Sequence, residues 1–412
     1  MCGRTRKQDS PPGHEVASNR EFSLISSDST MTGGDRPSAT RHGFIDLLRG
    51  FALIFMIETH VVNAYLPEAY RSSQFFFWLS FVNGLVAPAF LFATGFSVIL
   101  QASRNWDSWL RFSLPFLRQM RRLGFITLIA YYSHIQCFKL SCYLNPEQPD
   151  LWRKTLQVDI LQCIVASLLV VHLLIVALRK PILTAWGAGL LAAVVTLLTP
   201  LVWSQDFTGR IPLGLALFLN PHGVSLFPLF PWTCLVLSGS VAAFLFLKSV
   251  KARHEIRHMR NVFLIGLIMI AGGLIGRGAP LTLPGHESFY TTSPLYVMIR
   301  LGCVLVIVAL LAGLEKLAHL VPKSIQVAGQ ESLLVYGVHL WLIFAVFRGK
   351  HVGPILGLEA GYAKCFLLSA VVAVFMLWLA GWWHKLKRDY PTRVRHAQAT
   401  AVIIMILVFV LR

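Results

Sequence analysis

The stretch "IDLLRGFALIFMIETH", Ile45–His60, decides how the chain is read. It is an aliphatic and aromatic run into which Asp46, Arg49, Glu58 and His60 are set, with Arg41 just before it. An Asp or Arg at the centre of a membrane helix costs roughly 2.5–3.5 kcal/mol on insertion scales, so such groups face a cavity, a partner or a reaction path. At about 100° per residue, Arg49 and His60 fall some 20° apart around a helix, and roughly 16 Å apart along it. Asp46 lies about 60° from Arg49, and Asn63 extends the stripe one turn beyond His60. Glu58 points elsewhere, about 200° around from His60.

The rest of the chain supplies the membrane. Its 412 residues are 55% hydrophobic and 14% charged, with a mean hydropathy of +0.62, outside the soluble range. Apolar segments of spanning length recur near 44–66, 76–100, 118–137, 157–178, 182–203, 227–247, 261–279, 296–315, 328–347, 363–384 and 398–411. This predicts an all-α polytopic bundle of about eleven helices in the lipid bilayer, the last of them short.

Basic residues alternate between loops. Arg104, Arg111, Arg118, Arg121 and Arg122 follow the second segment, Arg179 and Lys180 the fourth, Lys248 to Arg260 the sixth, and Lys385 to Arg395 the tenth. The intervening loops carry few cations, which predicts a cytoplasmic N-terminus and an outer C-terminus. The net charge of +18 is thus topological, and with no recognition motif it does not point to nucleic acid. Residues 1–42, polar and without an apolar signal region, are expected to form a disordered cytoplasmic tail ahead of a membrane domain over 43–412. The seven cysteines form no CxxC or Cys/His cluster, so no metal is expected; Cys137 and Cys142, at the outer end of the third segment, are equally compatible with a disulfide and with free thiols.

Arginine, ten intervening residues and histidine on the first helix resemble the signature of membrane-bound acyltransferases of the acyltransferase-3 type. "LVAPAFLFATGFSVIL" (85–100), "FPLFPWTCLVLSGSVAAFLF" (227–246) and "VAGQESLLVYGVHLWLIF" (327–344) are similar to later helices of that superfamily. "DILQC" (159–163) and "YTTSPLYVMIRLG" (290–302) are closer to its branch containing heparan-α-glucosaminide N-acetyltransferase and bacterial relatives. The resemblance spans about residues 41–390. It implies transfer of an acyl group, commonly acetyl from acetyl-CoA on the cytoplasmic side, to a hydroxyl or amine of a glycan-like acceptor on the far side. A bacterial plasma membrane is the implied setting.

In that frame His60 is the expected base or acyl carrier, since imidazole exchanges protons near neutral pH. Arg49, with Asp46 on the same stripe, is expected to hold the donor, although the two also have the spacing of an interfacial ion pair. Asp159 and His134 are expected at the depth of His60, Asp159 as its orienting partner or simply as a helix cap, with Gln162 one turn below. Ser332, Tyr336 and His339 share a helix face, either as a polar seam or as part of the site, with His339 in a catalytic role. Asn63, His134, Gln162, Arg300 and Tyr336 are candidate acceptor contacts; Arg300 could equally anchor its helix by reaching outward. Loops 204–226 and 280–295, with Asp206, Arg210, Asn220, His222, His286 and Glu287, hint at a sugar-like ligand. A proton-coupled transporter using His60, Asp159 and His339 as a relay is the alternative, but no matching halves are visible.

Overall fold

A computed structural model describes residues 43–411 except 138, 146–148, 222–223, 278–288, 290–291, 316–320 and 348–360. The expected tail over 1–42 lies outside the described residues. Thirteen long helices follow in order: α1 (Gly43–Tyr65), α2 (Gln74–Asn83), α3 (Val86–Ser103), α4 (Leu114–Tyr132), α5 (Ile160–Leu178), α6 (Pro181–Trp203) and α7 (Leu229–Lys251). Then come α8 (Glu255–Gly276), α9 (Pro294–Glu315), α10 (Lys323–Gln330), α11 (Ser332–Leu340), α12 (Tyr362–Asp389) and α13 (Pro391–Leu411). Among the described residues there is no strand.

Among the described residues, eight spans, counting α2 and α3 as one, are long and apolar enough to cross a membrane, and nine if the bent pair α10 and α11 is one crossing. About eleven were expected; α1 and α4 also have spanning length but carry Asp46, Arg49 and Glu58, and Arg118, Arg121 and Arg122, and are not among these spans. The outside of the bundle is apolar: Leu173, Trp186, Leu190, Ile268, Ile275, Leu367 and Trp378 are all exposed, as a lipid-facing surface requires.

The charged helix is central. α1 packs against α3, α9, α10, α11 and α12, and Leu47, Leu53, Ile57 and Val61 are buried along it. Small residues set the closest approach: a methyl group at Gly329 would fall 2.2 Å from the carbonyl oxygen of Asp46. Glycine therefore lets α10 lie directly on α1.

Three boundaries differ from the sequence reading. The second segment breaks at Gly84–Leu85 into α2 and α3, with Ser73 capping α2 through Phe76 N. α4 begins at Leu114, a turn before the expected 118, and ends at Tyr132, leaving His134 in a turn. The ninth segment is bent by 84° at Glu331. There the Glu331 carboxylate is buried and held by α12, with Lys387 Nζ at 2.6 Å and His384 Nδ1 at 3.0 Å. Beyond α11 the helix widens into a π turn, Trp341–Phe347. Cys137 and Cys142 are joined as a disulfide.

Candidate active site

A cavity of about 390 Å³ runs through the bundle beside α1. Arg49, Met56, His60 and Asn63 face it, at intervals of seven, four and three residues that keep them on one side of a helix. Glu58 is buried and forms no part of the wall. Arg49, Gln101, Gln119 and Arg122 line one end, and His60, Asn63, Asn83 and Asp159 the other, with Thr94, Ser332 and Tyr336 also in the wall.

At the first end, Arg49 Nη2 donates to the Ala93 carbonyl at 3.3 Å. Asp46 is buried and its Oδ2 accepts from Gln330 Nε2 at 3.2 Å. It contributes nothing to the cavity wall and binds α10 to α1 instead. Arg122 faces the cavity within electrostatic reach of Glu331, so the sequence reading that placed it with the loop cations missed a cavity group. Its signal was the pattern Arg118, Arg121, Arg122, which repeats at i, i+3 and i+4 and so puts a cation on more than one helix face.

The second end is built around two imidazoles. The His339 ring lies 5.2 Å from that of His60, centroid to centroid. Its Nδ1–H donates to the Val335 carbonyl at 2.7 Å, and its Nε2 is buried without a partner. His60 makes no hydrogen bond among the described residues, and Phe344 packs edge-on against it at 5.9 Å. Of the predicted seam on α11, Ser332 and Tyr336 reach the cavity, while His339 is wholly buried behind His60.

Asp159 is a helix cap. Its Oδ1 accepts from Ile160 N at 2.7 Å, and Gln162 completes a capping box. The carboxylate also lines the cavity, and its charge interacts with His60, but no hydrogen bond joins the two. Its nearest basic partner is His134, whose Nε2 stands 3.9 Å from Oδ2 and whose Nδ1 meets Gln157 Nε2 at 2.5 Å. Burial pushes the His134 pKa down, against the opposing pull of Asp159. Gln162 is buried, donating to the Ala130 carbonyl at 3.1 Å, so it orients the cap instead of meeting a ligand.

Arg300 lines a neighbouring chamber. In the outer loop, Asp206 accepts from Thr208 N and Asn220 donates to the Gln205 carbonyl; these side chains shape their own turns. His222, His286 and Glu287 lie outside the described residues. Among the described residues, no group of three or more His, Cys, Asp or Glu side chains is placed to hold a metal ion.

The fold and the cavity define a polytopic helical membrane protein with a buried histidine site. Residues 41–275 match the catalytic family of heparan-alpha-glucosaminide N-acetyltransferase, and the chain belongs to that family of membrane acetyltransferases. Comparison with curated proteins gave no match. Membership in an acetyltransferase family leaves the transporter reading without support.

Proposed function

We propose that the protein moves an acetyl group from acetyl-CoA, bound from the cytoplasmic side, to an amine or hydroxyl of a sugar-like acceptor on the opposite side of a membrane, with His60 at the point of transfer. One observation carries this reading: a single cavity has two guanidinium groups at one end and, at the other, an imidazole free of hydrogen bonds to the described residues. Arg49 and Arg122 suit the anionic oxygens of the donor, because guanidinium binds phosphate through paired hydrogen bonds. The largely apolar middle of the cavity suits a slender thioester arm reaching toward His60. The basic loops between segments support a cytoplasmic entrance at the Arg49 end and a cytoplasmic N-terminus.

His60 takes the proton from the acceptor as its nitrogen or oxygen attacks the thioester carbonyl. The C–S bond then breaks, and the proton passes to the departing sulfur as free thiol. A two-step route with the acetyl group carried briefly on the His60 ring uses the same residues. His339 holds the His60 ring in place, and Asp159 supplies a negative charge across the cavity that favours the imidazolium formed on proton transfer.

The test is thiol release from acetyl-CoA by purified protein with a panel of amino sugars and glycans, wild type beside His60→Ala. Acceptor-stimulated release that disappears in His60→Ala supports the reading. A folded wild type that consumes no thioester with any acceptor refutes it. Sealed proteoliposomes of known protein orientation test the sidedness: turnover should require acetyl-CoA on the face bearing the N-terminus and acceptor on the other.

A further inference from the structure

A second chamber of about 410 Å³ adjoins the first and shares Asn83, Ala87, Leu226 and Phe227 with it. Asn83, which lines both, sets its level, since the shared wall lies at the His60 end of the catalytic cavity. The rings of Trp203, Trp232 and Tyr296 line it, and Arg300 supplies the only charge among its described lining residues. The guanidinium lies 4.4 Å from the Tyr296 ring centroid and 5.4 Å from that of Trp232.

Two features distinguish this arginine from a membrane anchor. Its Nη2 donates to Tyr296 Oη at 3.1 Å, its one hydrogen bond among the described residues, although a guanidinium carries five donors. Space has also been left for it: a methyl group at Gly84 would fall 3.2 Å from Nη2, so the break between α2 and α3 makes the room. Neighbouring donors are divided in the same way. Trp203 Nε1 is spent on the Phe230 carbonyl at 2.9 Å, whereas Trp232 Nε1 is buried without a partner among the described residues.

Aromatic faces stack on the apolar faces of sugar rings, and a guanidinium with donors to spare selects a carboxylate or phosphate. We propose that the chamber is an acceptor subsite for an acidic sugar, with Arg300 binding its carboxylate or phosphate and Trp232 donating to and stacking on the sugar. The word acceptor rests on the acetyltransferase reading; the binding site itself does not.

The experiment uses the full chain in lipid nanodiscs, with calorimetric binding and thiol-release kinetics measured side by side. Glucuronate is compared with glucose, and glucosamine 6-phosphate with glucosamine, so that the two arms identify which anion is taken. Wild type should bind the acidic member of at least one pair about tenfold or more tightly, the scale of a charge-assisted hydrogen bond. Arg300→Gln should erase that preference, raising KM for the acidic sugar toward that of its neutral counterpart. Arg300→Lys should recover part of it, since lysine keeps the charge but lacks the fork.

Equal binding of acidic and neutral sugars by wild type overturns the proposal, as does an unchanged preference in folded Arg300→Gln. Should that variant fail to fold, Trp232→Phe serves in its place: it keeps the ring stack, loses the N–H, and should still weaken acidic sugar binding several-fold; unchanged binding in Trp232→Phe also overturns the subsite. Arg300-dependent binding without thioester consumption keeps the subsite and discards the acetyltransferase reading. Acceptor-stimulated thiol release with no preference for acidic sugars does the reverse.

Discussion

His339 stands 5.2 Å from His60, ring to ring, with its Nδ1–H committed to the Val335 carbonyl and its Nε2 buried with no partner. The committed proton fixes the tautomer of His339, so a neutral ring presents its unprotonated nitrogen. A group held in this way orients its neighbour without touching substrate. Replacement of His339 by Ala should therefore lower kcat by about 10- to 100-fold, the scale expected when a catalytic group is misplaced by about an ångström, while acetyl-CoA affinity is retained. His60→Ala should abolish acceptor-dependent turnover. Steady-state kinetics on both variants checks this, and full kcat in His339→Ala would leave His339 as packing alone.

Asp159→Asn separates the cap from the charge. Asn caps a helix about as well as Asp, so the start of α5 should survive, whereas Asp159→Ala should cost about 0.5–2 kcal/mol of stability. The charge loss should appear in pH dependence. Burial lowers the His134 pKa in the folded protein and Asp159 opposes that shift. An unfolded histidine, near about 6.5, therefore binds protons that the folded one refuses, and His134 favours unfolding increasingly as pH drops below about 6.5. Removing the carboxylate lowers the folded value further. Melting curves between about pH 8 and pH 5 should show a steeper acid loss in Asp159→Asn than in wild type, and parallel curves would remove Asp159 as the partner of His134.

Gly329→Ala should disrupt the site from a distance. The added methyl would meet the Asp46 carbonyl at 2.2 Å, forcing α10 away from α1 at a cost of about 1–3 kcal/mol for overpacking. Gly381, on α12, is the control: a methyl there meets nothing within 4 Å, and alanine should stabilise that helix by about 0.5–1 kcal/mol. Thermal melts of the two variants should move in opposite directions.

The sequence made α1 legible because an arginine and a histidine eleven residues apart return to nearly the same angle, and both residues do face one cavity. The apolar lengths made the membrane bundle readable, although eight spans, or nine with the bent pair, are apolar enough to cross among the described residues, against about eleven expected. What could not be read was the bend at Glu331, because it depends on Lys387 and His384 of α12 capturing a carboxylate some fifty residues away. His339 was placed on the right helix but not behind His60, since periodicity gives a side chain its direction and not its neighbour. Asp46 shared the charged stripe, yet its carboxylate turned to Gln330 once α10 had docked. Arg122 looked like one more cytoplasmic cation, since a charge in sequence does not say which helix face meets a cavity.

Arg122 and Arg49 give the remaining prediction. Both face the same end of the cavity, but they differ in surroundings: Arg49 is tied to the Ala93 carbonyl on α3, and Arg122 lies within electrostatic reach of Glu331. If both bind donor oxygens, Arg49→Gln and Arg122→Gln should each raise KM for acetyl-CoA by about tenfold or more, the loss expected for a charge-assisted hydrogen bond, with smaller effects on KM for the acceptor. Their effects should combine, because α1 and α4 hold them independently. Arg122→Gln carries an added consequence, since Glu331 then loses a nearby positive charge and depends on Lys387 and His384. Lys387→Ala should accordingly be tolerated in wild type and should cost markedly more in the Arg122→Gln background. Melting temperatures of the four proteins measure that coupling, and simple additivity would separate Arg122 from the Glu331 network and leave it to the donor alone.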